Sequence, residues 1–293
     1  MIDMMNIFIY TIAASGLAIA SITDIKTREV HDWLSYFLVI AGLGIRLLYS
    51  ILQWDFYIFI DGVIGFGIFF GIALLMFYAK QWGGGDSKIL MGIGALVGFD
   101  VRQALSLRMP FLLDVFIDIL LVGAVYGILY SVVLSLKNLR GVTKSFKKMS
   151  AEKKNLKIFV LVAAFAIALS SLFLREIFLR FAFLSFAIMI IVMLYLNFFI
   201  KSVEKECMLK SIEPEKLTEG DWIAKKIVVD GKFIAGPDDL GIEEKQIRKL
   251  IKLKNEGKIR KVLIKEGIPF IPSFLVGFIL AVIYGNLFLY LIH

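Results

Sequence analysis

Eight apolar runs dominate this chain, at about 5–22, 33–51, 57–79, 88–99, 109–136, 158–174, 178–200 and 268–292. Crossing the roughly 30 Å hydrocarbon core of a bilayer takes about 20 helical residues, and most of these runs reach that length. Backbone N–H and C=O groups find no water in lipid, so each run must satisfy them internally as a helix. The expectation is an all-α polytopic membrane bundle of about 8 transmembrane helices, with a small cytoplasmic α/β insertion. Composition agrees: 59% of the 293 residues are hydrophobic and the mean hydropathy is +0.82. The fourth run is short for a full crossing and follows three glycines, so it reads as re-entrant or as starting below the membrane surface. Only Leu174-Arg175-Glu176-Ile177 separates the sixth and seventh runs, a tight polar hairpin.

The formal charge of +8 does not point to nucleic acid, because the cations lie between the spans, where they set topology. With the N-terminus outside, four segments face the cytoplasm: 23–32, 80–88, 137–157 and 201–266. They hold 2, 2, 8 and 16 Lys/Arg, 28 of the chain's 33. The positive-inside rule favours that orientation and puts Asp24 and Asp86 on the same, cytoplasmic, face. Cys207 is the only cysteine, which excludes an intramolecular disulfide and a multi-cysteine metal site. The two histidines, His31 and His293, are too few and too far apart for zinc. Met1 to Asn6 lacks the basic start of a cleavable signal peptide, so the first span is expected to be retained.

The organisation expected is a membrane core with both aspartates (1–136), a basic cytoplasmic loop with two further spans (137–200), a soluble domain (201–266) and a C-terminal span (267–293). Within the soluble part, Trp222–Val229, Asp230-Gly231 and Lys232–Ala235 read as a β-hairpin with a type I′ turn. Ile247, Leu250 and Ile251 share one face of a helix over 242–255, and Gly257 stands just past its end. Residues 259–264 read as a third strand. Lys144, Lys147, Lys148, Lys153 and Lys154 read as anchors at anionic headgroups.

Chemistry concentrates at two span ends. Asp24 closes the first span, and Gly83-Gly84-Gly85-Asp86-Ser87-Lys88 precedes the fourth. An acid at a membrane helix end is costly and marks a functional candidate. Two carboxylates brought close share a proton, so one can take a proton from water while the other polarises a carbonyl. Gly83, Gly84 and Gly85 permit positive φ and close approach of an extended backbone. Each feature alone has a plainer reading: Asp24 as a helix-end residue, Gly-Gly-Gly-Asp as a turn followed by an N-cap. Asp61 reads as a structural partner or as lying near the outer surface. Lys88 reads as a bias on Asp86 or as a snorkelling cation. Gly67/Gly71 and Gly94/Gly98 read as helix-packing pairs. Glu29 and Asp32 are candidates to attract a basic peptide, or a local charge balance with Lys26 and Arg28.

Gly83-x-Gly85-Asp86, with upstream Asp24 in Ser21-Ile22-Thr23-Asp24-Ile25-Lys26, resembles the GxGD membrane aspartyl proteases. Within them the chain is similar to the archaeal branch of the type IV prepilin and preflagellin peptidases. Thr23 stands where the more distant presenilin and signal peptide peptidase relatives carry Tyr, which supports that branch. Pro269-Phe270-Ile271-Pro272 resembles the family's C-terminal proline segment. The resemblance implies an integral-membrane aspartyl endopeptidase with Asp24 and Asp86 as catalytic dyad; beside it, Gly83, Gly84 and Gly85 read as a substrate-backbone loop, and Pro269 and Pro272 as shaping a cleft or as simply starting the last helix. The resemblance also implies no metal and no cofactor, and precursors with class III signal peptides, cut at the cytoplasmic face, as partners alongside the lipid bilayer. No CxxC is present, so no methyltransferase activity is expected. Two rival classes stay open. An ion-coupled transporter would show inverted repeats and midplane acids, and a non-catalytic assembly factor would tolerate loss of either aspartate.

Overall fold

The computed structural model describes residues 4–292; Met1–Asp3 of the N-terminal segment and His293 lie outside the described residues. The helices run α1 (Met4–Thr27), α2 (Asp32–Leu52), α3 (Tyr57–Tyr78), α4 (Gly84–Val97), α5 (Val101–Leu105), α6 (Phe111–Lys137), α7 (Leu139–Glu152), α8 (Lys154–Ser170), α9 (Ile177–Val203), α10 (Glu244–Asn255), α11 (Ile271–Tyr284) and α12 (Leu287–Ile292). Short strands lie between α9 and α11: β1 (Leu209–Ile212), β2 (Trp222–Ile223), β3 (Ile227–Val229), β4 (Lys232–Ala235) and β5 (Val262–Lys265). The protein is an all-α bundle with a small sheet-bearing insertion.

Among the described residues, six helices are long and apolar enough to cross a membrane: α1, α2, α3, α6, α8 with the turn that carries it to Phe173, and α9 with its extension to Met208. The fourth apolar run is the 14-residue α4. The eighth run is not one helix. Gly285, at φ +71°, ends α11, and Asn286 starts α12 by accepting the Leu289 N–H at 3.1 Å. Two acids of α6 hold that break, neither singled out from sequence. Asp118 accepts the Leu287 N–H at 2.9 Å, and Asp114 accepts from the Asn286 amide at 2.9 Å.

The chain forms two compact units. The first holds the residues through Gly127, Pro214–Arg260 and the residues from Gly267. Its core is built around α4, where Ser87, Ile89, Leu90, Gly92, Ile93, Gly94, Ala95, Leu96 and Val97 are all buried. A helix apolar all round must be enclosed, and α2 and α3 enclose this one with α1 alongside. Close crossing needs glycine. A Cβ on Gly94 would lie 2.5 Å from the Gly65 carbonyl oxygen, and one on Gly42 would lie 2.7 Å from the Ala95–Leu96 peptide. Gly67 and Gly71 face open space, so the packing partner of α4 is the Gly62/Gly65 face of α3 instead. Arg46, 5% exposed, clamps the far end of α4. Its guanidinium donates to the carbonyls of Leu96 (3.0 Å), Ile58 (3.2 Å) and Val97. Asp61 is a structural acceptor, taking the Val101 N–H at 3.1 Å.

The insertion contributes the β3–β4 hairpin to this unit. Asp230 (φ +53°) and Gly231 (φ +73°) both take the positive φ that a type I′ turn demands. The second unit comprises Ile128–Glu213 and Lys261–Glu266. There α7 and α8 pack on α9, and β1 pairs antiparallel with β5 from Leu209↔Lys265 to Ile212↔Val262. Residues 139–152, expected as loop, form α7, with Val142 and Ser145 buried on one side.

Candidate active site

Three segments of the first unit meet at one end of the bundle. Asp24 lies in the last turn of α1 and is 6% exposed. Asp86 lies in the first turn of α4, and α1 contacts α4 directly. The α1–α2 turn comes within 3.1 Å of a Cβ built on Gly85, and Phe270, beside the Ile271 that Asp24 binds, packs on Trp82, so both aspartates lie at the same end of the bundle.

Each carboxylate also holds a backbone donor. Asp86 Oδ2 accepts the Gly83 N–H at 3.0 Å, the reaching-back half of a capping box, since Gly83 has no side chain to make the other half. Asp24 Oδ2 accepts the Ile271 N–H at 3.0 Å, and the Phe270 N–H reaches the same carboxylate. Pro269-Phe270-Ile271-Pro272 thus stands at Asp24, with Pro272 in the first turn of α11. Arg28, at φ +62°, ends α1 and donates to the Gly267 carbonyl at 2.6 Å, fixing the lead-in to α11.

The glycine loop is held from several directions. Trp82 is buried against Phe270 and Phe274, with ring centroids at 6.2 and 5.2 Å. Ser87 Oγ donates to the Ala73 carbonyl at 3.3 Å. A Cβ on Gly85 would lie 3.1 Å from Val30 Cβ, so the α1–α2 turn comes close over the loop. Positive φ is not what these glycines provide: Gly83, the N-cap, has φ −71°, and none of the three is in the left-handed region. Lys88 does not serve Asp86. It pairs with Asp32 at 2.5 Å, joining the starts of α2 and α4. Of the two acids suggested for attracting a basic peptide, Asp32 is therefore engaged, and Glu29 is exposed.

The insertion is tied to the same loop. Lys80, at φ +56° just after α3, donates from Nζ to the carbonyls of Pro237 (3.1 Å) and Asp238 (2.7 Å). The Lys226 ammonium, 3.0 Å from Asp238, holds that exposed carboxyl below its ordinary range, and Lys80 adds its charge there. Sequence reasoning missed Lys80, Trp82, Val30 and the backbone donors of Phe270 and Ile271. Trp82 and Lys80 had one available signal, their place immediately before the glycines.

Residues 11–135 match the type IV leader peptidase family. Three archaeal proteins described as preflagellin peptidases are similar. That of Methanocaldococcus jannaschii is 32% identical over 145 residues, 47% of this chain and 62% of the relative. Those of Methanococcus maripaludis and Methanococcus voltae are each 42% identical over 88 residues, 30% of this chain and 38% and 37% of the relatives. The chain thus spans between about a third and three-fifths of the length of these relatives. No solved structure matches it.

Proposed function

We propose, from the place of residues 11–135 in the type IV leader peptidase family, that this membrane protein is an aspartyl endopeptidase removing leader peptides from preflagellin- or prepilin-like precursors. The observation that carries the reading is the placement of Asp24 and Asp86, from separate helices, at one end of the bundle. Such a pair, holding one proton between its members, can do both halves of peptide hydrolysis. The ionised carboxylate takes a proton from water as the water oxygen attacks the scissile carbonyl. The protonated one donates to the carbonyl oxygen, and a proton then passes to the leaving amine as the C–N bond breaks. The roles belong to the pair rather than to either residue.

The excess of Lys and Arg between the spans supports a cytoplasmic position for this end of the bundle. A precursor would lie with its hydrophobic helix in the bilayer and its cleavage site extended over Gly83–Gly85. The Pro269–Pro272 segment would form the opposite wall, because it already donates to Asp24. The exposed Glu29 is the acid left to meet a basic leader.

The test is co-expression with a preflagellin-like precursor, following its mobility shift for wild type, Asp24→Asn and Asp86→Asn. Cleavage by wild type that either substitution abolishes, at normal membrane abundance, is expected. Cleavage surviving both substitutions would remove these residues from the mechanism.

A further inference from the structure

We propose that a cationic cleft on α7 binds the phosphate of an anionic phospholipid headgroup. Leu139, Arg140, Thr143, Lys144 and Lys147 line an open cavity of about 520 Å³. The spacing 140, 143/144, 147 puts three cations and a hydroxyl on one helical stripe. Arg140, Lys144, Lys147 and Thr143 bring five guanidinium N–H donors, two ammonium groups and one O–H to that stripe, all suited to phosphate oxygens. No carboxylate pairs with Arg140, Lys144 or Lys147 among the described residues; the one acid of α7, Glu152, pairs with Lys148 at 3.7 Å. Leu139 and the aliphatic stems of the cations give the cleft apolar walls, which suits a lipid more than a free ion.

Chain connectivity says where the cleft must lie. α6, 27 residues and about 40 Å long, exceeds the hydrocarbon thickness, so its Lys137 end reaches headgroup level. Only Asn138 separates α6 from α7, and only Lys153 separates α7 from the span α8. Asn138 breaks the helix and caps the next one, accepting the Gly141 N–H at 3.2 Å. α7 is therefore tethered within one residue at both ends to membrane-crossing helices and cannot leave the interface. Its opposite side is fixed by Phe146, whose ring meets Tyr195 and Phe198 of α9 at 6.4 Å each. That contact leaves the cationic stripe exposed.

The test uses the protein purified in neutral detergent, with phosphatidylglycerol as the probe and retained lipid counted by native mass spectrometry. Wild type is expected to hold one phosphatidylglycerol that the variant Arg140→Gln/Lys144→Gln/Lys147→Gln binds on the order of a hundredfold more weakly. That figure follows from about 1 kcal/mol per basic residue at an anionic surface. Removing three cations elsewhere, in Lys245→Gln/Lys249→Gln/Lys261→Gln, is expected to leave the lipid in place. The single exposed reversal Lys147→Glu changes two units of charge, is expected to weaken retention about thirtyfold, and covers failure of the triple variant to fold. Equal retention by the triple variant and its control would overturn the proposal. So would displacement of the lipid by inorganic phosphate, or retention of phosphatidylcholine as firmly as phosphatidylglycerol.

Discussion

Asp24 and Asp86 carry the same functional group into two different backbone settings, and that difference separates folding from chemistry. Asp86 ties down its own loop, whereas Asp24 reaches across 247 positions of sequence to the first N–H of α11. The Ile271 N–H is buried, so Asp24→Ala strands a donor and should cost about 1–3 kcal/mol of stability. Asp24→Asn keeps an acceptor oxygen in place and should unfold close to wild type. Both variants should be inactive as peptidases. Thermal unfolding in detergent beside a cleavage assay checks this, and equal stability of the two variants would argue against the Asp24–Ile271 bond. The aspartates themselves stood out in the sequence because acids at span ends are rare. Their donors did not, because a backbone N–H has no residue identity to read. Lys88 misled for a related reason: nearness in sequence to Asp86 suggested a pair, but its side chain turns to Asp32.

Helix lengths and positions were largely legible, since about 20 apolar residues leave few alternatives in lipid. Which faces pack was not. Gly67 and Gly71 have the spacing of a packing pair and face open space, while Gly65, outside that pattern, meets Gly94 at the crossing of α3 and α4. Spacing alone does not reveal which side of a uniformly apolar helix points inward. The geometry makes a paired expectation. Gly94→Ala puts a Cβ 2.5 Å from the Gly65 carbonyl oxygen and 2.8 Å from Phe69 Cβ, so α3 and α4 must separate. The cost should be about 1–3 kcal/mol. Cleavage should fall with it, because α4 carries Asp86. Gly67→Ala adds a methyl in open space and should leave unfolding unchanged or raise stability by up to about 1 kcal/mol. Thermal unfolding of the two variants side by side decides it, and a harmless Gly94→Ala would contradict the close crossing.

At the scale of the molecule, the question is what a soluble insertion does for a site formed by membrane helices. Its hairpin and helix were readable from turn chemistry and periodicity, but its attachment was not, because Lys80 binds two main-chain carbonyls rather than a complementary side chain. Lys80 sits three residues before Gly83, in a left-handed conformation that is unfavourable for a residue with a Cβ. Its two bonds to Pro237 and Asp238 connect that turn to the insertion, so the loop carrying Asp86 has a support outside the bundle. Lys80→Met removes both bonds while keeping the length of the side chain. At this exposed position the loss is about 1 kcal/mol, or about fivefold in cleavage rate. The effect should fall on kcat and on KM together, because the loop carries both Asp86 and the Gly83–Gly85 backbone over which the precursor lies. Lys80→Arg, which can still donate to carbonyls, should recover part of the rate. Steady-state cleavage of a precursor peptide by the three proteins tests this. A Lys80→Met enzyme with wild-type kcat would mean that the insertion leaves the loop unaffected.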